Sequence, residues 1–308
     1  MNQSLYKPEG FCASGDGECF YTAATLEKAA ARGQILEARA SLCDESMALS
    51  VDLGCMRGVM AKEEVAFIAD GSPVKDIAAI TRVGKSVCFK VLSFEKSGGE
   101  TVAVLSRREA QRECLEKFLL VSSPGDVISA RVTHLEPFGA FVDVGCGIVS
   151  LLPIDCISVS RISHPRDRLY PGMFIKAVVR SVDTAACRVS VTHKELLGTW
   201  EENVGRFRIG QTVPGVIRSI EPYGIFIELA PNLAGLAEYS DGVSVGQSAT
   251  VYIKNIIPEK MKVKLVLVDT FSAKADFSAP EYFFREDHMD VWTYSPPECQ
   301  KLTASYFA

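Results

Sequence analysis

Two short stretches set aromatic rings where a flat ligand could use them. Leu135–Val142 reads LEPFGAFV and Ile220–Ile227 reads IEPYGIFI, so each holds two aromatics three residues apart around a glycine. Exposed rings can stack the bases of a single strand, each stack contributing roughly 1–3 kcal/mol, without reading the sequence. Residues three apart lie on opposite faces of a regular strand. Gly139 and Gly224 are therefore expected to supply a bend or bulge that brings Phe138 with Phe141, and Tyr223 with Phe226, to one face. A basic residue opens the last strand-like run of each copy, Arg188 in CRVSVTH and Lys262 in MKVKLVL, and on the same face it would add a phosphate contact. A lone Phe most often fills a core. Recurrence of the pair around a glycine and beside a basic residue favours a ligand.

Other chemistry is sparse. His134, His164, His193 and His288 stand alone, with no Cys or carboxylate at ligand spacing, so no metal site is expected. No glycine-rich phosphate loop, nucleophile elbow or paired catalytic carboxylate is present, so neither a cofactor nor enzymatic activity is expected. SGDGE (residues 14–18) reads only as a turn. The ten cysteines are scattered singly, as in a protein of a reducing compartment. The chain lacks an apolar run of about 18 residues, and its N-terminus lacks a basic-then-apolar leader pattern. A cytoplasmic protein with no membrane contact is the expectation.

The positioning elements come from a repeat. From Gly125 the chain matches itself from Gly210, with Glu136, Pro137, Gly139 and Phe141 meeting Glu221, Pro222, Gly224 and Phe226. A small insertion, PNL, is then read as restoring register, with GIVSLLP over GLAEYS. Further on, PGMFIKAVVRSVD lies over VGQSATVYIKNII, and CRVSVTH over MKVKLVL. A weaker copy begins at Gly33, with ESMALSV where the aromatics belong. The segments are short, alternating and rich in Val, Ile and Phe, which is strand grammar. In the middle copy strands are expected near 126–136, 138–144, 147–152, 173–182 and 187–192, with a short helical or irregular crossing after the third. The fold class expected is mainly β: three tandem five-stranded Greek-key barrels of the oligonucleotide-binding (OB) type, joined by short helical linkers.

The boundaries follow the repeat. An N-terminal extension with a helix covers 1–32, a degenerate barrel 33–106, a helical linker 107–122 and a second barrel 123–195. A linker at 196–205, a third barrel at 206–270 and a tail at 271–308 complete the chain. SRREAQRECLEKFL carries Ala110, Cys114, Leu115 and Phe118 at helical spacing. Trp200 is expected at the junction of copies two and three. The net charge of −5 hides a local balance: residues 123–199 hold eight Lys and Arg against seven Asp and Glu, and 206–269 hold seven against six. Arg161, Arg166, Arg168 and Lys176, in or after the crossing, could line a phosphate track or simply face solvent.

PGDVISARVTHLEPFGAFVDVGCGIVSLLP, LYPGMFIKAVVRSVD and CRVSVTHKELL together resemble the S1 RNA-binding domain, and the chain resembles a short bacterial member of the ribosomal protein S1 family. The resemblance spans about residues 33–269, is specific in copy two, good in copy three and an outline in copy one. It implies a non-catalytic protein of the translation machinery that binds single-stranded RNA or mRNA, with the small ribosomal subunit as a partner. Carried over by position, it implies RNA contacts at Phe138, Phe141, Asp183 and Arg188, with Ser150 where the family has a histidine. In copy three it implies Tyr223, Phe226 and Lys262, with Glu238 at the histidine position and Pro258 at the acidic one. Copy one lacks the pair and resembles the docking repeats of that family. The alternative is a protein–protein adaptor that docks on the ribosome or another RNA-processing assembly.

Overall fold

Apolar residues alternating with polar ones become strands, and the punctuating glycines become turns. The computed structural model describes residues 6–11, 21–271 and 279–307; SGDGE, Cys12 and Cys19 lie outside the described residues. Helix α1 (Ala23–Arg32) starts at Thr22, whose hydroxyl accepts the Thr25 amide, and stops at Gly33 with φ +61°. The first unit follows: β1 (Leu36–Cys43), β2 (Leu49–Asp52), β3 (Arg57–Met60), helix α2 (Asp76–Ile80), β4 (Ser86–Ser97) and β5 (Glu100–Ser106). Helix α3 (Arg107–Cys114) continues through a π-turn at Leu115–Leu119, and buries Ala110, Cys114, Leu115 and Phe118 as their spacing requires.

The middle unit comprises β6 (Val127–Glu136), β7 (Gly139–Asp143), β8 (Val149–Pro153), β9 (Phe174–Asp183) and β10 (Arg188–Thr192). Its crossing holds two short 3-10 turns, Ile154–Cys156 and Pro165–Asp167. Helix α4 (Trp200–Val204) leads to β11 (Thr212–Glu221), β12 (Gly224–Ala230), β13 (Leu233–Ala237), β14 (Ser248–Ile257) and β15 (Lys262–Phe271). A hairpin of β16 (Val291–Thr293) and β17 (Ala304–Tyr306) ends the chain.

The first and third units are closed barrels, and the middle one is a five-stranded sheet of the corresponding strand order. Of the three barrels expected, two close through backbone pairing, and the middle unit differs at the place where they close. Closure in the outer units is a short parallel ladder, Gly58↔Ala103 in one and Leu236↔Lys264 in the other. Glycine permits that approach: a Cβ on Gly58 would stand 2.4 Å from the Leu105 side chain, and one on Gly235 2.6 Å from Leu265. The middle unit has Ser150 at this position. Its hydroxyl donates to the Val189 carbonyl at 2.6 Å, so a side chain joins β8 to β10 where the other units use backbone.

Two straps tie the units together. Glu9, 4% exposed, receives the Arg107 guanidinium at 2.6 and 3.0 Å and the Cys88 amide at 3.0 Å, all from the first unit and α3. Its own amide donates to Asp143 of the middle unit at 2.7 Å, and Arg131 donates to its carbonyl. The tail, whose docking site the sequence does not reveal, sews the middle and third units. Val127 donates to Asp287, Phe283 to Leu196 and Trp200 to Tyr294 through their backbones. Met289, Trp292, Tyr294 and Phe307 are buried in the same core as Trp200, Val213 and Ile225. Among the described residues all eight cysteines are free, and no helix is long and apolar enough to cross a membrane.

Candidate nucleic-acid interface

The geometry of LEPFGAFV differs from a bent strand. Glu136 pairs with Gly139, so Pro137 and Phe138 form a two-residue hairpin turn, and Phe141 lies two residues into β7. The irregularity is in the opposite strand, where β6 inserts one extra residue, Thr133, between Val132 and His134. The Thr133 hydroxyl donates to the Phe141 carbonyl at 3.0 Å. Gly139 is required by close approach, since a Cβ there would meet the Leu152 carbonyl at 2.5 Å. Phe138 is 56% exposed and Phe141 half-buried. Their rings stand edge to face, centroids 6.1 Å apart at 89°.

The bulge adds a residue that the sequence spacing did not single out. His134 is paired with Phe141 across the hairpin, and its exposed ring lies 6.4 Å away at 24°. Its Nε2 lies 2.7 Å from a Glu136 carboxylate oxygen. The signal was available only through cross-strand register, counting back from the turn and allowing for the bulge. On the other flank Phe141 pairs with Leu151 of β8, and Val149 and Leu151 are exposed. Ser150 is 5% exposed and spends its hydroxyl on Val189, so it holds the sheet together and does not present itself on this face. Arg188, next to Val189, is exposed and paired with exposed Asp183.

Residues 123–194 match the S1 RNA binding domain. The match coincides with the middle unit. Across the chain, similarity runs to small ribosomal subunit proteins. It is 28% identical over 267 residues to the bS1 homolog of Bacillus cereus, covering 83% of this chain and 65% of that one. To bS1 of Rickettsia conorii it is 30% identical over 215 residues, 64% of this chain and 37% of the relative. To bS1 of Staphylococcus aureus the figures are 28% over 203 residues, 61% and 51%. The chain thus spans less than two thirds of the length of each of these relatives.

The third unit repeats this face with a different shell. Glu221 pairs with Gly224, leaving Pro222 and Tyr223 in the turn, and the extra residue of β11 is Arg218. Tyr223, 68% exposed, and Phe226 stand 6.1 Å apart at 88°. A Cβ on Gly224 would meet the Ala237 carbonyl at 2.4 Å. Ser219 takes the place of His134 opposite Phe226. Strand pairing also corrects the alignment. Val142 faces Ser150 and Ile227 faces Gly235, so PNL is no insertion, and Gly235, not Glu238, is the counterpart of Ser150. Exposed Glu238 lies just beyond β13. Lys262 pairs with Ile257, so Ile257, not Pro258, stands where Asp183 does. Lys264, paired with Leu236 beside Phe226, is the exposed cation nearest this pair in register, and alternation in KVKLVL was its signal.

In the first unit Cys43 pairs with Leu49, and the hairpin is a five-residue loop. Asp44 fixes it by accepting from the Ser46 amide and hydroxyl and the Ala48 amide. The extra β1 residue, Ser41, is retained, but Leu42 and Ser50 replace His134 and Phe141.

The crossing cations divide. Arg161, Arg166 and Lys176 are exposed, but half-buried Arg168 is held against Glu228, which Arg218 also contacts at 2.8 Å, so it joins the middle and third units and lines no track. His193, 2% exposed, lies against Tyr282, and burial pushes its pKa down to about 4. His164 accepts the Arg166 amide, and His288 bridges Asp126 and Asp290, which raises its pKa. No group of three metal-ligating side chains occurs among the described residues.

Proposed function

We propose that the chain is a non-catalytic single-stranded RNA-binding protein of the translation machinery, stacking bases on Phe138 and Phe141 and, more weakly, on Tyr223 and Phe226. The observation that carries this reading is the twin geometry. Two units spend exposed aromatics on the same turn and strand positions at the same separation, while the first builds the same sheet without them. Exposed Phe138 and Tyr223, each edge to face with a half-buried Phe, accept any base, and flanking Arg188, Lys262 and Lys264 supply phosphate contacts that make binding salt-dependent. Asp183, whose carboxylate accepts the Ala186 amide, shapes the β9–β10 hairpin that presents Arg188. Similarity to bS1 proteins supports the small ribosomal subunit and a cytoplasmic setting as its context.

The test is fluorescence anisotropy of a labelled oligouridylate against the chain and Phe138→Ala/Phe141→Ala. Weakening of at least tenfold, with unchanged circular dichroism, supports the reading; unchanged affinity in the folded variant removes it. A second reading, an adaptor docking on the ribosome or another RNA-processing assembly, draws on the first unit, whose hairpin offers no stacking surface. RNA affinity that is absent even at low salt would favour it.

A further inference from the structure

Between the first and middle units runs a groove of about 1530 Å³, larger than the ~300–1,000 Å³ of a small-molecule site. Arg39, Ser41 and Lys85 line it from the first unit; Thr133, His134 and Val149 line it from the middle one. The last two also border the aromatic patch, so patch and groove form one continuous surface through His134.

The charge of the groove depends on which groups are free. Three of its carboxylates lie under the Glu9 strap. Glu9 is clamped by Arg107, and Glu37, 6% exposed, accepts the Gly10 amide at 2.7 Å. Asp143, 2% exposed, takes the Glu9, Gly145 and Gly147 amides, and burial beside Glu9 pushes its pKa up to about 7. Asp52 is the exposed acid of the lining. Against it, Arg39 and Lys85 are exposed and form no ion pair among the described residues. Exposed cations beside buried, hydrogen-bonded carboxylates suit a polyanion, and the hydroxyls of Ser41 and Thr133 add polar contacts.

We propose that this groove is a backbone track for single-stranded RNA, carrying a strand from the stacking surface at Phe138 and Phe141 past His134 to phosphate contacts at Arg39 and Lys85. The inference rests on the reading of the aromatic pair as a base platform. It gives the first unit a task without stacking: charge.

Anisotropy with labelled oligouridylates of about 6 and about 18 nucleotides separates the two readings, since one OB unit covers roughly 4–16 nucleotides. Track and platform together predict that the long RNA binds the wild-type chain more tightly than the short one. Arg39→Ala/Lys85→Ala should weaken the long RNA about tenfold and flatten its log affinity against log salt slope by about 1.4, two contacts at about 0.7 each. The short RNA should change less than about twofold by the same counterion logic, and Arg39→Lys/Lys85→Arg should restore the long one. Both sites are exposed, so the fold is not at stake. Unchanged long-RNA affinity in the alanine variant, while Phe138→Ala/Phe141→Ala still weakens both lengths, overturns the track and leaves the platform standing. Failure of the wild-type chain to bind either RNA overturns both. Retained RNA affinity with lost co-sedimentation on small ribosomal subunits assigns the groove to a protein partner and overturns the track.

Discussion

The hairpins of the first and middle units solve one folding problem in two ways. Both join the first two strands of a five-stranded unit, and both follow a β-bulge, at Ser41 in one and Thr133 in the other. The middle unit turns in two residues, Pro137 and Phe138, and leaves an apolar ring 56% exposed. The first unit turns in five and satisfies its loop with Asp44. Since the polar loop closes a barrel perfectly well, folding does not demand the exposed Phe. A large apolar side chain held in water by a rigid turn is better explained by what it meets.

The comparison breaks most visibly at Phe138 and Phe141. Replacing both by alanine should remove roughly 2–6 kcal/mol of RNA binding, two stacks at about 1–3 each, and at least tenfold in affinity. The next effect is on stability and concerns how units are joined. Both junctions hold a shielded ion pair, Glu9 with Arg107 in the first and Arg168 with Glu228 in the second, and the second adds the tail and a neutral His193. Burial holds the folded His193 pKa near 4, below about 6.5 in the unfolded chain. The unfolded state therefore binds the extra proton. Stability should be fully present above about pH 6.5 and fall by about 3 kcal/mol toward pH 4. Urea titrations across that range should show a shallower fall in His193→Gln.

Smaller effects probe sheet closure. Gly58→Ala or Gly235→Ala should cost about 1–3 kcal/mol by overpacking against Leu105 or Leu265. Ser150→Ala should cost only about 1 kcal/mol, the loss of one buried hydrogen bond to Val189. Denaturation midpoints in that order support the closure argument; a larger loss at Ser150 would refute it. The mildest change expected is in the third unit. Tyr223→Ala/Phe226→Ala should weaken RNA binding by about fivefold, the roughly 1 kcal/mol low end of a single stack, because Ser219 offers no ring where His134 does. An effect equal to that of the Phe138 and Phe141 pair would show that the histidine adds nothing.

Much of the fold was legible. Alternation placed all five strands of the middle unit within a few residues, and helical spacing marked the buried stripe of α3, because both periods are written locally. The site was half legible. Phe138, Phe141, Tyr223 and Phe226 announced themselves by type and recurrence, while His134 and Lys264 did not, because their relation to the rings runs across strands. Gly139 was noticed for the wrong reason: it yields space to a neighbouring carbonyl and leaves the bulge to Thr133. Ser150 and Arg168 looked like surface groups, yet each is turned inward by a partner, Val189 39 residues away and Glu228 60 residues away.

The sequence by itself determined the repeat, the strands, the helical stripe and the two aromatic turns, since each depends on residues within one or two turns of chain. Tertiary structure alone decided register, closure, the clamp at Glu9 and the seat of the tail. Those depend on which distant groups meet, and burial then sets whether a hydroxyl, a carboxylate or a ring is consumed by the fold or left free for a ligand.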